Sequence, residues 1–243
     1  MQPMILAVLL LAVATPAALE SSCNADKAAA CDELGNRLRD GLGVRRNEAR
    51  ASDLFRKACK AKDKNGCADD ARALALGEGQ NADPNTALSR LEKTCKAGHA
   101  RACGNLGEVF LHGLGTPQDA TRVEALLANG CKKGDSRSCT NQSFVALRTG
   151  NREQAEELAL RGCDLGDATG CAQLGSLYAT SNDTLRAGIY FARACDAGSA
   201  RGCAGQGYLL VDSGIDPKRG KELLLKGCDG GEPRACDALR ELK

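Results

Sequence analysis

The sequence has few of the residues on which large cores and much enzyme chemistry depend. Its 243 residues include seven aromatic side chains, no tryptophan and two histidines. His99 and His112 leave little room for imidazole chemistry, and no HExxH, CxxC, CxxCH or GxxxxGK[ST] motif occurs. The 33 Lys and Arg nearly balance the 31 Asp and Glu, so no basic field is available for nucleic acid. We therefore expect no nucleic-acid partner, no cofactor and no metal site, and a core that relies on Ala, Leu and cross-links.

The chain opens with an uninterrupted apolar run over residues 4–14. Small residues follow it, and the first charged side chain is Glu20. This pattern predicts a secretory signal peptide over residues 1–18, cleaved after Ala17 or Ala18, with a buried N-terminal helix as the alternative. The run is too short to span a bilayer, and no later segment approaches the roughly 18 apolar residues that a membrane helix needs. The sequence thus predicts a secreted or periplasmic protein without a membrane span.

All 14 cysteines belong to pairs spaced by eight residues. The pairs are Cys23 and Cys31, Cys59 and Cys67, Cys95 and Cys103, Cys131 and Cys139, Cys163 and Cys171, Cys195 and Cys203, and Cys228 and Cys236. The first cysteines of successive pairs are 36, 36, 36, 32, 32 and 33 residues apart, a period typical of stacked helix-turn-helix units. The sequence therefore predicts an all-α fold, a right-handed α-solenoid of about six helix-turn-helix repeats.

Each unit divides into two predicted helices. Helix A begins at the second cysteine and carries small or apolar residues three, four and seven positions later, as in Leu174, Gly175 and Tyr178. Helix B ends at the first cysteine, and a glycine usually follows three residues later, where Asp26 and Lys62 are the exceptions. One domain covers residues 19–243. Its repeats span about 31–66, 67–102, 103–138, 139–170, 171–202 and 203–235, with terminal half-units at 19–30 and 236–243.

The cysteine spacing also indicates what the pairs do. Eight residues of continuous helix span about 12 Å, whereas a disulfide needs Cα atoms within roughly 7 Å. The chain must therefore reverse between the two cysteines, and a disulfide would join the end of helix B to the start of the next helix A. Zinc or cluster ligation is the alternative, although its ligand pairs usually stand two to four residues apart. An oxidising compartment favours seven local disulfides.

The segments Lys57-Ala58-Cys59 and Cys171-Ala172-Gln173-Leu174-Gly175 carry a resemblance to a known family. The chain from residue 23 onward resembles the Sel-one-like repeat (SLR), a relative of the tetratricopeptide repeat, in the disulfide-rich form of the Helicobacter cysteine-rich proteins. The resemblance implies a scaffold that binds a protein or peptide on a concave surface lined by helix A. It also implies an alternative, a weak penicillin-binding protein or β-lactamase. No Ser-x-x-Lys, Ser-Asp-Asn or Lys-Thr-Gly motif supports that activity, so we assign no catalytic residue.

If helix A lines the inner face, residues two, five and nine positions after the second cysteine are left free by its apolar stripe. Amide side chains in this ladder would donate to and accept from an extended peptide backbone, and aromatic ones would offer pockets. The predicted peptide groove consists of Asn105, Asn141, Phe144, Gln173 and Tyr208. The alternative is that these residues only solvate an exposed helix face. We expect a monomer with a protein or peptide partner, or a ligand related to the cell wall or β-lactams, and histidines that are solvated surface groups.

Overall fold

A computed structural model describes residues 15–114 and 119–242, apart from the side chains of 119–121. This part of the chain forms fourteen helices. They are α1 (Pro16–Asn24), α2 (Ala28–Asp40), α3 (Glu48–Lys60), α4 (Lys64–Leu76), α5 (Pro84–Lys96), α6 (Ala100–Leu111), α7 (Asp119–Lys132), α8 (Ser136–Arg148), α9 (Arg152–Asp164), α10 (Ala168–Thr180), α11 (Thr184–Asp196), α12 (Ala200–Asp212), α13 (Pro217–Asp229) and α14 (Pro233–Glu241).

The helices stack in chain order as antiparallel pairs. Helix A is the even-numbered helix of each pair, and helix B is the odd-numbered helix that follows it. Units one to six thus run from α2 and α3 to α12 and α13, with α1 and α14 as single flanking helices. The predicted α-solenoid is confirmed. Among the described residues, no helix is both long and apolar enough to cross a membrane.

The chain reverses between helix B and the next helix A through one left-handed residue. Gly98 and Gly166 have φ of 89° and 94° at the predicted capping position. The two exceptions have the same conformation without glycine, because Asp26 and Lys62 also have positive φ, at 58° and 65°. A left-handed residue at this position lets the chain turn back on itself within a few residues.

Seven disulfides join the cysteine pairs, each between residues eight apart in sequence. The Cα atoms of each pair lie between 4.3 and 4.8 Å apart, well within disulfide reach. Each bond joins the last turn of a helix B to the first turn of the next helix A. The predicted pairing is confirmed, and zinc ligation is excluded because every cysteine is oxidised.

Helix A starts three residues earlier than the sequence predicts, as in α10, which begins at Ala168 and contains Cys171 one turn later. The earlier start places a polar residue at the N-cap, where its side chain accepts from a backbone N–H of the first turn. Asp63 accepts from Gly66 N at 2.7 Å, and Ser199 accepts from Gly202 N at 3.1 Å. Such caps fix the first residue of α4, α6, α8, α10 and α12, whereas α2 begins after Lys27 without a side-chain cap.

Small residues in one helix make room for large ones in the next. Phe55 of α3 packs against Gly35 of α2, where an added Cβ would lie 2.6 Å from the ring. Phe191 of α11 meets Gly175 of α10 in the same way, at 2.5 Å. The predicted close packing at this position is confirmed. The few aromatic rings therefore fill space that glycine leaves, and much of the remaining core is alanine and leucine.

The solenoid closes one superhelical turn within the described chain. The turn after α2 reaches the turn before α12, where Gly43 N donates to Gly198 O at 3.1 Å. On the inner side, Arg137 of α8 reaches Asp40 of α2 with Nη2 and Oδ2 3.0 Å apart. The helix A inner face of unit one thus meets that of unit four.

The predicted leader mostly lies outside the described residues, since the structure begins at Thr15. The expected cleavage after Ala17 or Ala18 falls inside α1, where the next residue, Leu19, is 7% exposed and packs into the core. Export and the exact repeat boundaries stay predictions.

Candidate functional site

Two of the five predicted groove residues are buried between neighbouring helices A. Asn105 is 1% exposed and donates from Nδ2 to Asp69 Oδ1 at 2.7 Å. Gln173 is 2% exposed and donates from Nε2 to Ser143 Oγ at 2.8 Å. The expectation that these amides stand free on the helix A face is therefore wrong. The superhelix curves tightly enough that each of these amides meets helix A of the preceding unit.

The other three predicted residues keep some exposure. Asn141 and Phe144 are partly buried on α8, and Asn141 Nδ2 has no hydrogen-bond partner among the described residues. Tyr208 on α12 is 38% exposed, and its hydroxyl donates to Arg234 O at 2.5 Å. The structure does not bring the five residues into one continuous ladder, because Asn105 and Gln173 point into helix interfaces.

A charged network fills the inner face of units one to three. Its centre is Asp69 of α4, which has no exposed surface. Asp69 Oδ2 accepts from Arg101 Nη1 at 2.8 Å and from Asn36 Nδ2 at 3.1 Å. Arg101 Nε also donates to Asp135 Oδ1 at 2.9 Å, so the network continues into the turn before α8. These side-chain hydrogen bonds join α2, α4 and α6 to one another and to the N-cap residue of α8.

The electrostatics of the network centre on two neighbouring carboxyl groups. Burial by itself would raise the pKa of Asp69, but Arg101 and Arg39 hold that pKa at about 2. The adjacent Asp32 has its pKa raised to about 8, chiefly by burial and then by the Asp69 carboxylate. Asp69 therefore carries the negative charge that the arginines neutralise, and Asp32 holds its proton to a higher pH than a free carboxyl group does.

A second set of ion pairs lies beside the first. Arg72 on α4 is 1% exposed and pairs with Glu78 and with Glu108, whose Oε1 lies 3.0 Å from Arg72 Nη1. Residue types in the ladder hint at these contacts, since Arg72 and Glu108 stand five positions after successive cysteines. The inner face of units one to three is thus a structural interior held by the protein's own charges.

A cavity of about 610 Å³ lies at the seam where the superhelix closes. Gly41, Gly43 and Arg45 line one side, and the other side includes Arg219 and Lys226 of α13. Asp196 and Asp229 also line it, so the cavity carries charges of both signs. No single ligand class is indicated by that mixture.

A different surface is apolar and open. We call it the α11–α12 surface and define it by five aliphatic residues of α11, α12 and the turn after α12. They are Leu185, Ile189, Leu209, Leu210 and Ile215. They line a groove of about 540 Å³. Leu185 and Ile215 are 76% and 79% exposed, and Ile189 is 50% exposed. This surface is not among the predicted site residues, although large aliphatic residues at an unusual register of the repeat signal it.

The two histidines lie at the two ends of α6. His99 is the N-cap of α6, where its Nδ1 accepts from Ala102 N at 3.3 Å, and burial lowers its pKa. His112 is exposed at the end of α6. The described residues contain no group of three or more His, Cys, Asp or Glu side chains arranged to hold a metal ion.

The fold and its disulfides define the class of protein. It is an α-solenoid in which each helix B is joined by a disulfide to the next helix A. The Sel1 repeat family matches the chain over residues 28–63, 100–127, 147–167 and 168–199. The chain is a Sel1-repeat protein, and such repeats typically mediate protein interactions. A search of curated protein sequences finds no match.

Solved structures share the fold. The chain is 22% identical to a protective antigen of uropathogenic Escherichia coli with an SLR fold, with a TM-score of 0.65, over 93% of this chain and 51% of that one. It therefore spans about half the length of that protein. A Sel1 repeat protein from Oxalobacter formigenes is 19% identical, with a TM-score of 0.56, over 90% and 89% of the two chains. An immunity protein from Pseudomonas aeruginosa is 16% identical, with a TM-score of 0.60, over 84% and 82%.

Proposed function

We propose that this protein is an exported scaffold that binds a protein or peptide partner in an oxidising compartment. The observation that carries the proposal is the combination of a disulfide-stapled Sel1-repeat frame with exposed aliphatic residues on one part of its surface. Exposed apolar clusters on an otherwise polar protein are typical of interaction sites. The disulfides limit the motion of each helix pair, which lowers the entropy lost when a partner binds.

The buried inner network changes where a partner would bind. Asn105 and Gln173 hold helices together, so they are poor candidates for direct contact. Asn141, Phe144 and Tyr208 remain candidate peptide contacts on the inner face of units four to six. The alternative of a β-lactam hydrolase draws no support from the family match or from the structural similarities.

Two measurements on the secreted protein test the proposal. The chain is expected to be recovered outside the cytoplasm. N-terminal sequencing of that material is expected to begin at Ala18 or Leu19. Cross-linking in that compartment, followed by reconstitution from purified components, is expected to give a saturable complex with one defined protein. A chain retained in the cytoplasm would contradict the export claim. Penicillin turnover or a covalent penicillin adduct, without any protein complex, would contradict the scaffold.

A further inference from the structure

The α11–α12 surface has the shape of a groove between two helices. Leu185 and Ile189 stand four residues apart on α11 and form a ridge along one side. Leu210 and Ile215 lie on the side of α12 and the turn that follows it. Gly188 keeps the space between them open, since an added Cβ there would meet its nearest atom, Leu209 Cδ1, only at 4.0 Å.

The other repeats show that the fold does not require these aliphatic residues. Ile189 stands six residues before the first cysteine of its pair, and Leu185 ten residues before it. The corresponding residues of the other five units are Asp53, Ser89, Ala125, Glu157 and Glu222 for Ile189, and Ala49, Asn85, Thr121, Glu153 and Lys218 for Leu185. None of these is a large aliphatic residue. The same frame folds with polar or small residues at both positions, so unit five has gained an apolar surface that packing does not explain.

Ile215 follows the same rule in unit six. It stands twelve residues after the second cysteine of its pair. The corresponding residues of the other units are Gly43, Gly79, Gly115, Asn151 and Asp183. Three large aliphatic residues therefore occur at three registers that are small or polar elsewhere, and all three lie around one groove.

The charge around the groove is negative. Asp212 is the charged side chain that lines it, and Asp212 has no salt-bridge partner within the described part of the chain. The nearby arginines of α11 are already engaged, because Arg186 pairs with Asp183 at 2.5 Å and Arg193 pairs with Asp164 at 2.9 Å. A ligand for this groove would gain most from aliphatic side chains beside one cation.

We propose that the α11–α12 surface binds an amphipathic helix of a partner protein, with branched aliphatic residues one turn apart and a Lys or Arg placed to meet Asp212. This inference rests on the proposed scaffold function and names its partner chemistry. A helix fits because the groove runs between two antiparallel helices and is bordered by a ridge of residues spaced by four, into which a partner's own ridge packs.

The test uses a synthetic 18-residue helical peptide with leucines along one face and one lysine at its edge. Fluorescence anisotropy with the full oxidised chain is expected to show saturable binding. Ile189→Glu is expected to weaken binding at least tenfold, because it places a charge in the apolar groove. Glutamate already occupies this register in units four and six, so the fold is expected to tolerate it. Ser89→Glu adds the same charge at the same register of unit two and is expected to leave the affinity unchanged. Circular dichroism confirms that both variants fold.

A charge exchange tests the orientation. Asp212→Lys is expected to weaken binding of the lysine peptide severalfold, and a peptide with glutamate in place of that lysine is expected to recover it. Peptide binding that is absent, or equal in wild type and Ile189→Glu, would overturn the proposed site. A dimer that dissociates on Ile189→Glu would overturn it in favour of a second copy as occupant. A natural partner complex that still forms with Ile189→Glu would contradict this binding site but not the scaffold function.

Discussion

Arg137 on α8 donates a hydrogen bond to Asp40 at the end of α2, with Nη2 and Oδ2 3.0 Å apart. The same guanidinium reaches Asn36 Oδ1 at 3.3 Å. Arg137 and Asp40 are separated by 97 positions and belong to units that do not stack on each other. Their contact therefore depends on the curvature of the whole superhelix, and it closes the inner face that an extended solenoid would leave open.

Breaking this contact is expected to open the superhelix without unfolding it. Arg137→Ala removes a partly exposed pair, so the free energy of unfolding is expected to fall by less than about 1 kcal/mol. Small-angle scattering is expected to show a larger radius of gyration for the variant, and for the wild type in high salt. Arg193→Ala, which removes the exposed pair with Asp164, serves as the control. A radius that Arg137→Ala leaves unchanged would show that other contacts hold the closure.

The carboxyl groups of Asp32 and Asp69 are expected to change the free energy of unfolding in opposite directions as the pH rises. Because the folded pKa of Asp32 is raised to about 8 from 3.8, its contribution is fully present below about pH 3.8 and is lost as the pH rises toward 8. Asp32→Asn removes that loss and is expected to stabilise the protein at pH 8 by on the order of 1–3 kcal/mol. Urea unfolding at pH 5 and pH 8 measures the effect. Asp26→Asn, at an exposed position, is the control.

Asp69 behaves in the opposite sense. Its folded pKa of about 2 lies below 3.8, so its contribution is present above about pH 3.8 and is lost as the pH falls toward 2. Asp69→Ala is expected to cost about 3–5 kcal/mol at neutral pH, because it removes the buried carboxylate that neutralises Arg101 and the buried Arg39. Thermal unfolding at pH 7 checks this value, and a loss below 1 kcal/mol would contradict the central place of Asp69.

The disulfides are expected to account for the whole thiol content. The denatured, unreduced protein is expected to show no free thiol, since every cysteine is paired. Replacing Cys163 and Cys171 together by Ala is expected to lower the free energy of unfolding by about 2–4 kcal/mol. Thiol titration and urea unfolding measure the two quantities. Two or more free thiols per unreduced chain would break the pairing scheme.

Replacing glycine by alanine is expected to destabilise the protein at Gly175, which is closely packed, and to stabilise it at Gly188, which is not. Gly175→Ala would place a Cβ 2.5 Å from the Phe191 ring, and such overpacking is expected to cost about 1–3 kcal/mol. Gly188→Ala has open space and is expected to stabilise α11 by about 0.5–1 kcal/mol through helix propensity. Thermal unfolding of both variants checks the pair. Equal effects would mean that propensity and not packing decides at Gly175.

The cysteine spacing predicts the helix pairs, their reversals and all seven disulfides, because each bond is a local event within one turn. The predicted groove depends instead on how far successive units rotate, a quantity that no single repeat encodes. Asn105 and Gln173 stand at positions that face solvent on an isolated helix A, but the curvature turns them into the preceding unit. Ile189 and Ile215 were readable from the sequence, since a comparison of registers between units separates them from their polar counterparts.

A photo-activated cross-linking residue, placed at position 189 or at position 157 of the exported, oxidised protein, tests the proposed binding surface most directly. Glu157 occupies in unit four the register that Ile189 occupies in unit five. A discrete protein adduct is expected from position 189 and none from position 157. Adducts from both positions, or from position 157 alone, would contradict a binding surface on α11 and α12.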